Sequence, residues 1–351
     1  MLGIRQYKRS IRVVFGPLLA ECIEGEGLRI AFEVTRTSRS DPDQGTIQIF
    51  NLSASTRNAV LSAFDGLQTS RRVILNTPLM PDAARGAALA ALEASMMVRV
   101  FAGYGKVPAQ IFQGNLVGVT REDRSGSTDF VTTLKAGDGL MAYREGYVNQ
   151  AFGPGVTMET VRQVLQLSMG LAESADAAAT VAVVAPQAVV TAAANGFMAA
   201  GKASKALDDL AEMYGLQWTI RDGQIHYVPR GAASIDFSLL FQEGTDLLAY
   251  TSPEGGGDVR GTVLLNANLF PGRGIFVVKF PRPLDLAVNP LTTLRGEHVG
   301  GTNGLRCDSV RHVGDTHGQA WHSEFTARAA SMAIASPLIE FTAAEVAALA
   351  S

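Results

Sequence analysis

The residues best suited to chemistry stand near the C-terminal end: His312, Asp315, His317 and His322. Imidazole nitrogens and carboxylates hold zinc and related cations, so a metal centre would gather these side chains. The histidines recur every five residues, whereas a helical zinc motif sets two of them at i and i+4. The runs Leu305-Arg306-Cys307-Asp308-Ser309-Val310-Arg311-His312-Val313 and Gln319–Ala327, with Gly314-Asp315-Thr316-His317-Gly318 between them, predict a hairpin instead. On it His312 and His322 approach each other across the strands, His317 sits at the turn and Trp321 packs on the other face. A polar turn with one cross-strand pair accounts for the group, and no metal ligand is assigned.

Other candidates fare no better. No Gly-x-Ser-x-Gly elbow is present to expose a nucleophile above a sheet. Glu243, Asp246 and Glu254 read as solvated loop carboxylates, and His226 as a half-exposed strand residue. Gly255-Gly256-Gly257 does not lead into a helix, so nothing there cradles a phosphate. No catalytic, cofactor-binding or metal-binding residue is therefore expected. Two competing readings stay open: a metal-dependent hydrolase on a β scaffold using His312, His317 and His322, and a carbohydrate-binding module, which requires Trp218 and Trp321 to be exposed on one face.

The elements that position these residues are organised around the stretch from Gly27 to Phe64. Leu28, Ile30, Phe32 and Val34 alternate with smaller or polar residues, and Thr46-Ile47-Gln48-Ile49-Phe50 repeats the pattern after a Pro-containing break. A period of two predicts strands with one buried face. Ser53 or Ser55 then caps a helix whose face carries Val60, Leu61 and Phe64. Upstream, Ile11–Phe15 is a first strand. Downstream, Arg72-Val73-Ile74-Leu75 reads as another strand and Ala83–Ser95 as an Ala-rich helical insertion. Met97–Tyr104, Ile111–Val119 and Asp129–Leu134 follow at the spacing of an antiparallel barrel or sandwich, and Asp138-Gly139 closes the unit.

A different pattern begins at residue 141. Asn149–Phe152 is a short strand, Thr157 caps a helix over Met158–Met169, and Ser204 caps one over Lys205–Tyr214. Leu216–Ile220, Arg221-Asp222-Gly223 and Gln224–Val228 form a β-hairpin whose Asp-Gly supplies positive φ. Residues 172–201 are low in complexity and read as a variable loop with some helix. Strands resume with Ile235–Phe237, Leu247–Tyr250, Gly261–Leu265 and Gly274–Val278. A rigid connector, Asn266–Arg273, joins the last two, and a loop covers Pro281–Thr302. The expected fold is mainly β with an α+β insert: two antiparallel β-barrel domains, 1–140 and 233–336, flanking a helix-helix-hairpin module at 141–232, with a tail at 337–351.

The totals agree. With 351 residues the chain exceeds one core, and 47% hydrophobic residues suffice for the interior, while 36 glycines and 14 prolines favour many turns. Only 18% of residues are charged, as suits either a surface committed to partners or an Ala/Gly-rich source proteome. A net charge of −3 argues against nucleic-acid binding. Cys22 and Cys307 form no CxxC pair and are expected as free thiols in different units. No signal peptide or membrane span is expected, so the chain reads as soluble and made in a cytoplasm.

Several stretches resemble the baseplate hub proteins of contractile-tailed bacteriophages. They are Ile47-Gln48-Ile49-Phe50-Asn51-Leu52-Ser53, Phe101-Ala102-Gly103-Tyr104 with Ile111-Phe112-Gln113-Gly114, and Lys135-Ala136-Gly137-Asp138-Gly139. Leu264-Leu265-Asn266-Ala267-Asn268-Leu269-Phe270-Pro271-Gly272 and the closing Val310–Trp321 complete the set. They occur in family order from about residue 28 to 328; the Ala-rich insertions at 83–95 and 172–200 depart from the family. The resemblance implies a homotrimeric virion protein in which two similar barrels per chain adapt a six-fold tail tube to a three-fold central spike. It implies as partners a tail tube protein or tube initiator, the spike, baseplate wedge proteins facing the α+β module, and a tape measure protein. No membrane, specific nucleic acid or cofactor is implied.

Overall fold

Alternating side chains set the strands and local turn chemistry sets their ends. A computed structural model of the chain describes residues 8–38, 41–77, 88, 91–92, 94–123, 129–174, 181, 196–230, 233, 239–251, 258–278 and 305–329. The strand expected at 235–237, the loop at 281–302, Glu254, the three glycines after it and the tail at 337–351 lie outside these residues, as do most of the insertion at 83–95 and of segment 172–201.

The first part runs β1 (Arg9–Phe15), β2 (Leu18–Ile23), β3 (Glu26–Gly27), β4 (Ile30–Thr37), β5 (Gln44–Phe50), α1 (Ala54–Asn76), β6 (Met97–Tyr104), β7 (Ala109–Asp123) and β8 (Phe130–Gly137). The middle comprises α2 (Leu140–Glu145), β9 (Tyr147–Phe152), α3 (Met158–Ser168), β10 (Ala172–Glu173), β11 (Phe197–Lys202), α4 (Ala203–Met213), β12 (Leu216–Arg221) and β13 (Gln224–Pro229). The last part contains β14 (Leu239–Gln242), β15 (Leu247–Thr251), β16 (Val259–Leu264), β17 (Gly274–Val278), β18 (Leu305–Asp315) and β19 (Trp321–Ala329). The fold is mainly β, as expected. Among the described residues no helix is long and apolar enough to cross a membrane.

One antiparallel path, β15-β16-β19-β18-β4-β5-β8-β7-β6-β1-β2-β3, joins the first and last parts. The strand that links them is β18. Its Leu305 and Arg306 pair with β17, and its Ser309–Asp315 pair with Thr37–Ala31 of β4. A bulge against β19 between Cys307 and Ser309 lies between these two pairings.

Three cores result. Ile30, Phe32 and Val34 of β4 and Ile47 and Ile49 of β5 turn inward with residues of β1, β2, β6 and β7. Burying each such aliphatic or aromatic side chain contributes about 1.5–3 kcal/mol. Leu265 and Trp321, from the last part of the chain, lie in this same core, where Trp321 meets Phe32 edge to face at 5.5 Å. A second core holds Val161, Leu165, Leu207, Leu210 and Trp218 of the middle module. A third holds Phe241, Val263, Cys307 and Phe325.

Two local expectations are corrected. Arg72–Leu75 is not a strand but the last turn and a half of α1, where Val73 and Leu75 are 61% and 45% exposed. Among the described residues no strand pairs with them, and the helix capped by Ser53 (Thr56 N–H to Oγ, 3.1 Å) continues through them. Ser204 is not the cap of α4. The helix starts one residue earlier, and the Ala203 N–H donates to the carbonyl of Gly146 at 2.9 Å, so a neighbouring segment supplies the cap.

Candidate functional site

The inward parity of β4 continues past Val34 to Arg36, so a guanidinium enters the interior where an aliphatic side chain would be usual. A buried cation needs partners. Arg36 Nε lies 3.7 Å from Oδ2 of Asp43, and Nη2 lies 3.3 Å from Oδ1 of Asp222 at the tip of the β12–β13 hairpin. Asp138, immediately after β8, holds the same tip: its carboxylate accepts the backbone N–H of Asp222 at 2.5 Å and of Gly223 at 3.1 Å. Asp43 Oδ1 accepts the Thr37 N–H at 3.1 Å, and the Asp43 carbonyl accepts the Asp138 N–H at 2.9 Å. Gln113 Nε2 donates to the Asp222 carbonyl at 3.2 Å.

The hairpin reaches this position because Asp222 (φ 55°) and Gly223 (φ 75°) make the tight turn expected of Asp-Gly. Gly139 lets it come close: at φ 66°, a Cβ there would collide with the Ile220 side chain. On the other side of the hairpin, Arg221 stacks over Phe270 at 3.9 Å, and Arg273 covers that ring at 4.9 Å.

One guanidinium thus pairs with two carboxylates, Asp43 and Asp222, and its charge also acts on a third, Asp138. Burial pushes Asp43 up to about 8 and Asp138 up to about 7; Arg36 opposes both shifts and the neighbouring carboxylates reinforce them. Burial, with Arg36 nearby, lowers His312 to about 3; burial, with Arg221 and Arg36, lowers His226 to about 3. Tyr143, buried beside the acids, is raised by desolvation first and by their charge second.

A second joint fastens the β18–β19 turn to the first core. Arg9 Nη1 donates to the carbonyls of Asp315 (3.1 Å) and Gly318 (2.6 Å), and Arg29 grips the Asp315 carboxylate through Nε (3.2 Å) and Nη2 (2.8 Å). Thr316 and Ile30 exchange hydrogen bonds across the joint. Both joints connect segments far apart in sequence.

The architecture matches known structures over about nine-tenths of the chain. The 43 kDa tail protein of prophage MuSo2 from Shewanella oneidensis aligns with a TM-score of 0.51 at 8% identity, covering 91% of this chain and 98% of that one. A tail protein from Neisseria meningitidis MC58 aligns with a TM-score of 0.51 at 8% identity, covering 92% and 97%. The fold is that of these tail proteins. No protein-family model and no curated protein sequence matches the chain.

On this tail-protein fold the histidines do not converge. His312 faces inward, fully buried, with Nδ1 2.8 Å from Ser323 Oγ. His322 pairs with Val313 rather than with His312, points to the opposite face, and meets Glu324 at 3.2 Å. His317 lies in the turn with Nδ1 2.9 Å from Thr316 Oγ1. The expected approach of His312 and His322 is therefore corrected: the one-residue offset in register turns them to opposite sides. The hydrolase reading loses its constellation with it. Trp321 does lie opposite His322, but shares the inward face with His312. Trp218 and Trp321 are both buried, so the carbohydrate platform is absent. Asp246 braces its own turn, accepting the Gln242 N–H at 2.7 Å, and His226 is half-buried with Nδ1 3.1 Å from Ser174 Oγ.

A groove of about 440 Å³ on the outer face is lined by Thr35, Tyr250, Arg260, Arg311 and Glu324 among others. Arg311 is held there between Glu33 (2.7 Å) and Glu324 (3.0 Å). None of the groove's lining residues is a histidine or cysteine. The residues that matter most, Arg36, Asp43 and Asp138, were not singled out as site residues in the sequence. One signal was available: Arg36 occupies an inward position of an otherwise apolar alternation.

Proposed function

We propose that the chain is a structural protein of a phage-like tail, a trimeric baseplate hub that adapts a six-fold tube to a three-fold spike and carries no catalytic step. The observation that supports this best is the alignment of nearly the whole chain on nearly the whole of a phage tail protein. In this proposal residues 1–140 and 233–336 are two related β units arranged around the trimer axis, so that three chains present six tube-facing surfaces. The module at 141–232 faces outward to wedge proteins, and 337–351 is a terminal tail. The tube protein or its initiator binds above, the spike below, and the tape measure protein is a further partner. The chain acts in the tail baseplate of the particle after assembly in the host cytoplasm.

A continuous sheet suits such a role. Load passing between tube and spike would run through backbone hydrogen bonds of β4 and β18, not across a flexible linker. Light scattering on the purified protein tests the oligomer: three copies of the 37.1 kDa chain are expected per particle. A monomer at all accessible concentrations contradicts the proposal, because an obligate ring interface buries enough surface to persist.

A further inference from the structure

The joint around Arg36 has more acid than base. Asp43, Asp138 and Asp222 share one guanidinium, and only the Asp222 side chain retains substantial contact with solvent. The two buried acids are bound differently. Asp138 accepts two N–H groups from the hairpin tip, as an ionised carboxylate prefers. Asp43 accepts one N–H, from Thr37, and faces Arg36 Nε beyond hydrogen-bond distance; that Nε is itself buried without a hydrogen-bond partner. Two ionised carboxylates here would leave a surplus of buried negative charge. Separating the hairpin tip from Asp138 and Arg36 is the simplest way to rehydrate them.

We propose that this joint is a proton-dependent latch, in which a proton shared by Asp43 and Asp138 holds the β12–β13 hairpin and its module against the β4–β5–β8 sheet, and loss of that proton loosens the module. The proton moves between the carboxyl pair and water, with no other reactant.

The groups around the pair define the pH window. Arg36 and Arg221 are the cations beside it. Tyr143 is held neutral by burial, and Asp41 and Asp208 act on its hydroxyl. His312 stays neutral, since its fold-lowered value lies near 3. His226 rides on the hairpin and works in the opposite direction: freed by opening, it gains a proton below about 6.5. The sign follows. A carboxyl raised in the closed state favours closure fully below about 4, and this advantage is lost as pH rises towards 8. Below 6.5 the uptake of a proton by freed His226 offsets the effect. The net loosening falls between pH 6.5 and 8 and levels off above.

Hydrogen exchange on the full-length protein tests this, with rates corrected for intrinsic base catalysis. Amides of residues 216–228 are expected to lose protection at least tenfold between pH 6.5 and pH 8 relative to amides of β6 and β7, one proton corresponding to about tenfold per pH unit. In Asp43→Asn, which fixes a neutral side chain at the position, the hairpin's relative protection is expected to stay flat across the same window. A wild-type ratio that does not change with pH overturns the latch, and that measurement stands even if the variant does not fold. A folded Asp43→Asn protein that keeps the wild-type slope overturns it as well.

Discussion

The carboxylate of Asp138 accepts the backbone N–H of Asp222, a residue 84 positions further along the chain, at 2.5 Å. This contact, with its partner to Gly223, fixes where the middle module sits on the sheet. Removing it is expected to cost about 3 kcal/mol, because Asp138→Ala leaves two N–H groups without an acceptor and takes a carboxylate from the neighbourhood of Arg36. Urea unfolding checks the value, and a loss below about 1 kcal/mol would show that water replaces the carboxylate.

Gly139 provides the clearance for the same contact. Gly139→Ala is expected to destabilise by about 2 kcal/mol or more, combining a positive φ with a clash against Ile220. Gly118→Ala is the control: a Cβ there meets nothing within 4 Å, and stability should change by less than about 0.5 kcal/mol. Equal effects at the two positions would contradict the close approach.

The turn joint should show weak coupling. Arg29 and Asp315 are both partly solvated, and a double-mutant cycle is expected to give about 0.5–1 kcal/mol. Arg9→Ala, which releases three carbonyls held by one guanidinium, should cost more, about 1–2 kcal/mol.

His312 and His226 predict the acid side of the stability curve. Both are lowered to about 3 in the fold, so the unfolded chain binds more protons between about 3 and 6.5 and stability falls as pH drops through that range. The raised carboxyls Asp43 and Asp138 work in the other direction up to about 8. Because the pair shares one proton against two on the histidines, wild-type stability should fall as pH drops from 6.5 to 4.5. In His226→Gln the two sides balance, and stability should stay nearly flat there. Metal analysis of the purified protein is expected to find no stoichiometric zinc.

Cys22 and Cys307 are free and buried in different cores. Burial raises both thiols, so neither should react readily with a thiol reagent in the native protein. Both should react in denaturant without reductant. Finding fewer than two thiols would require a disulfide between segments that the fold keeps apart.

Much of the fold was legible locally. Alternation placed Met97–Tyr104 and the β4–β5 pair, Ser53 and Thr157 marked their helices, and Asp222-Gly223 marked the hairpin turn. Other parts were not, for identifiable reasons. Val73-Ile74-Leu75 has the composition of a strand, yet helix propagation from a good cap overrode it where no partner strand was at hand. β11 opens on Phe197 and Met198 but continues through Ala199, Ala200 and Gly201, too small to mark a strand, and β2, which begins just after Gly16-Pro17, was not marked as a strand of its own. Asp138-Gly139 read as a turn, which it is, but its carboxylate acts on a segment that only the tertiary fold brings near. The roles of His312 and His322 turned on a single residue of register, which composition does not encode.

The central claim, a trimeric adaptor with two related β units per chain, is tested most directly by a cryo-EM reconstruction of the assembled particle. The expected result is three copies around the tail axis, with residues 1–140 and 233–336 superposable and alternating to give six equivalent surfaces towards the tube. A ring of six copies, or three copies whose two β units cannot be superposed in strand order, would contradict it.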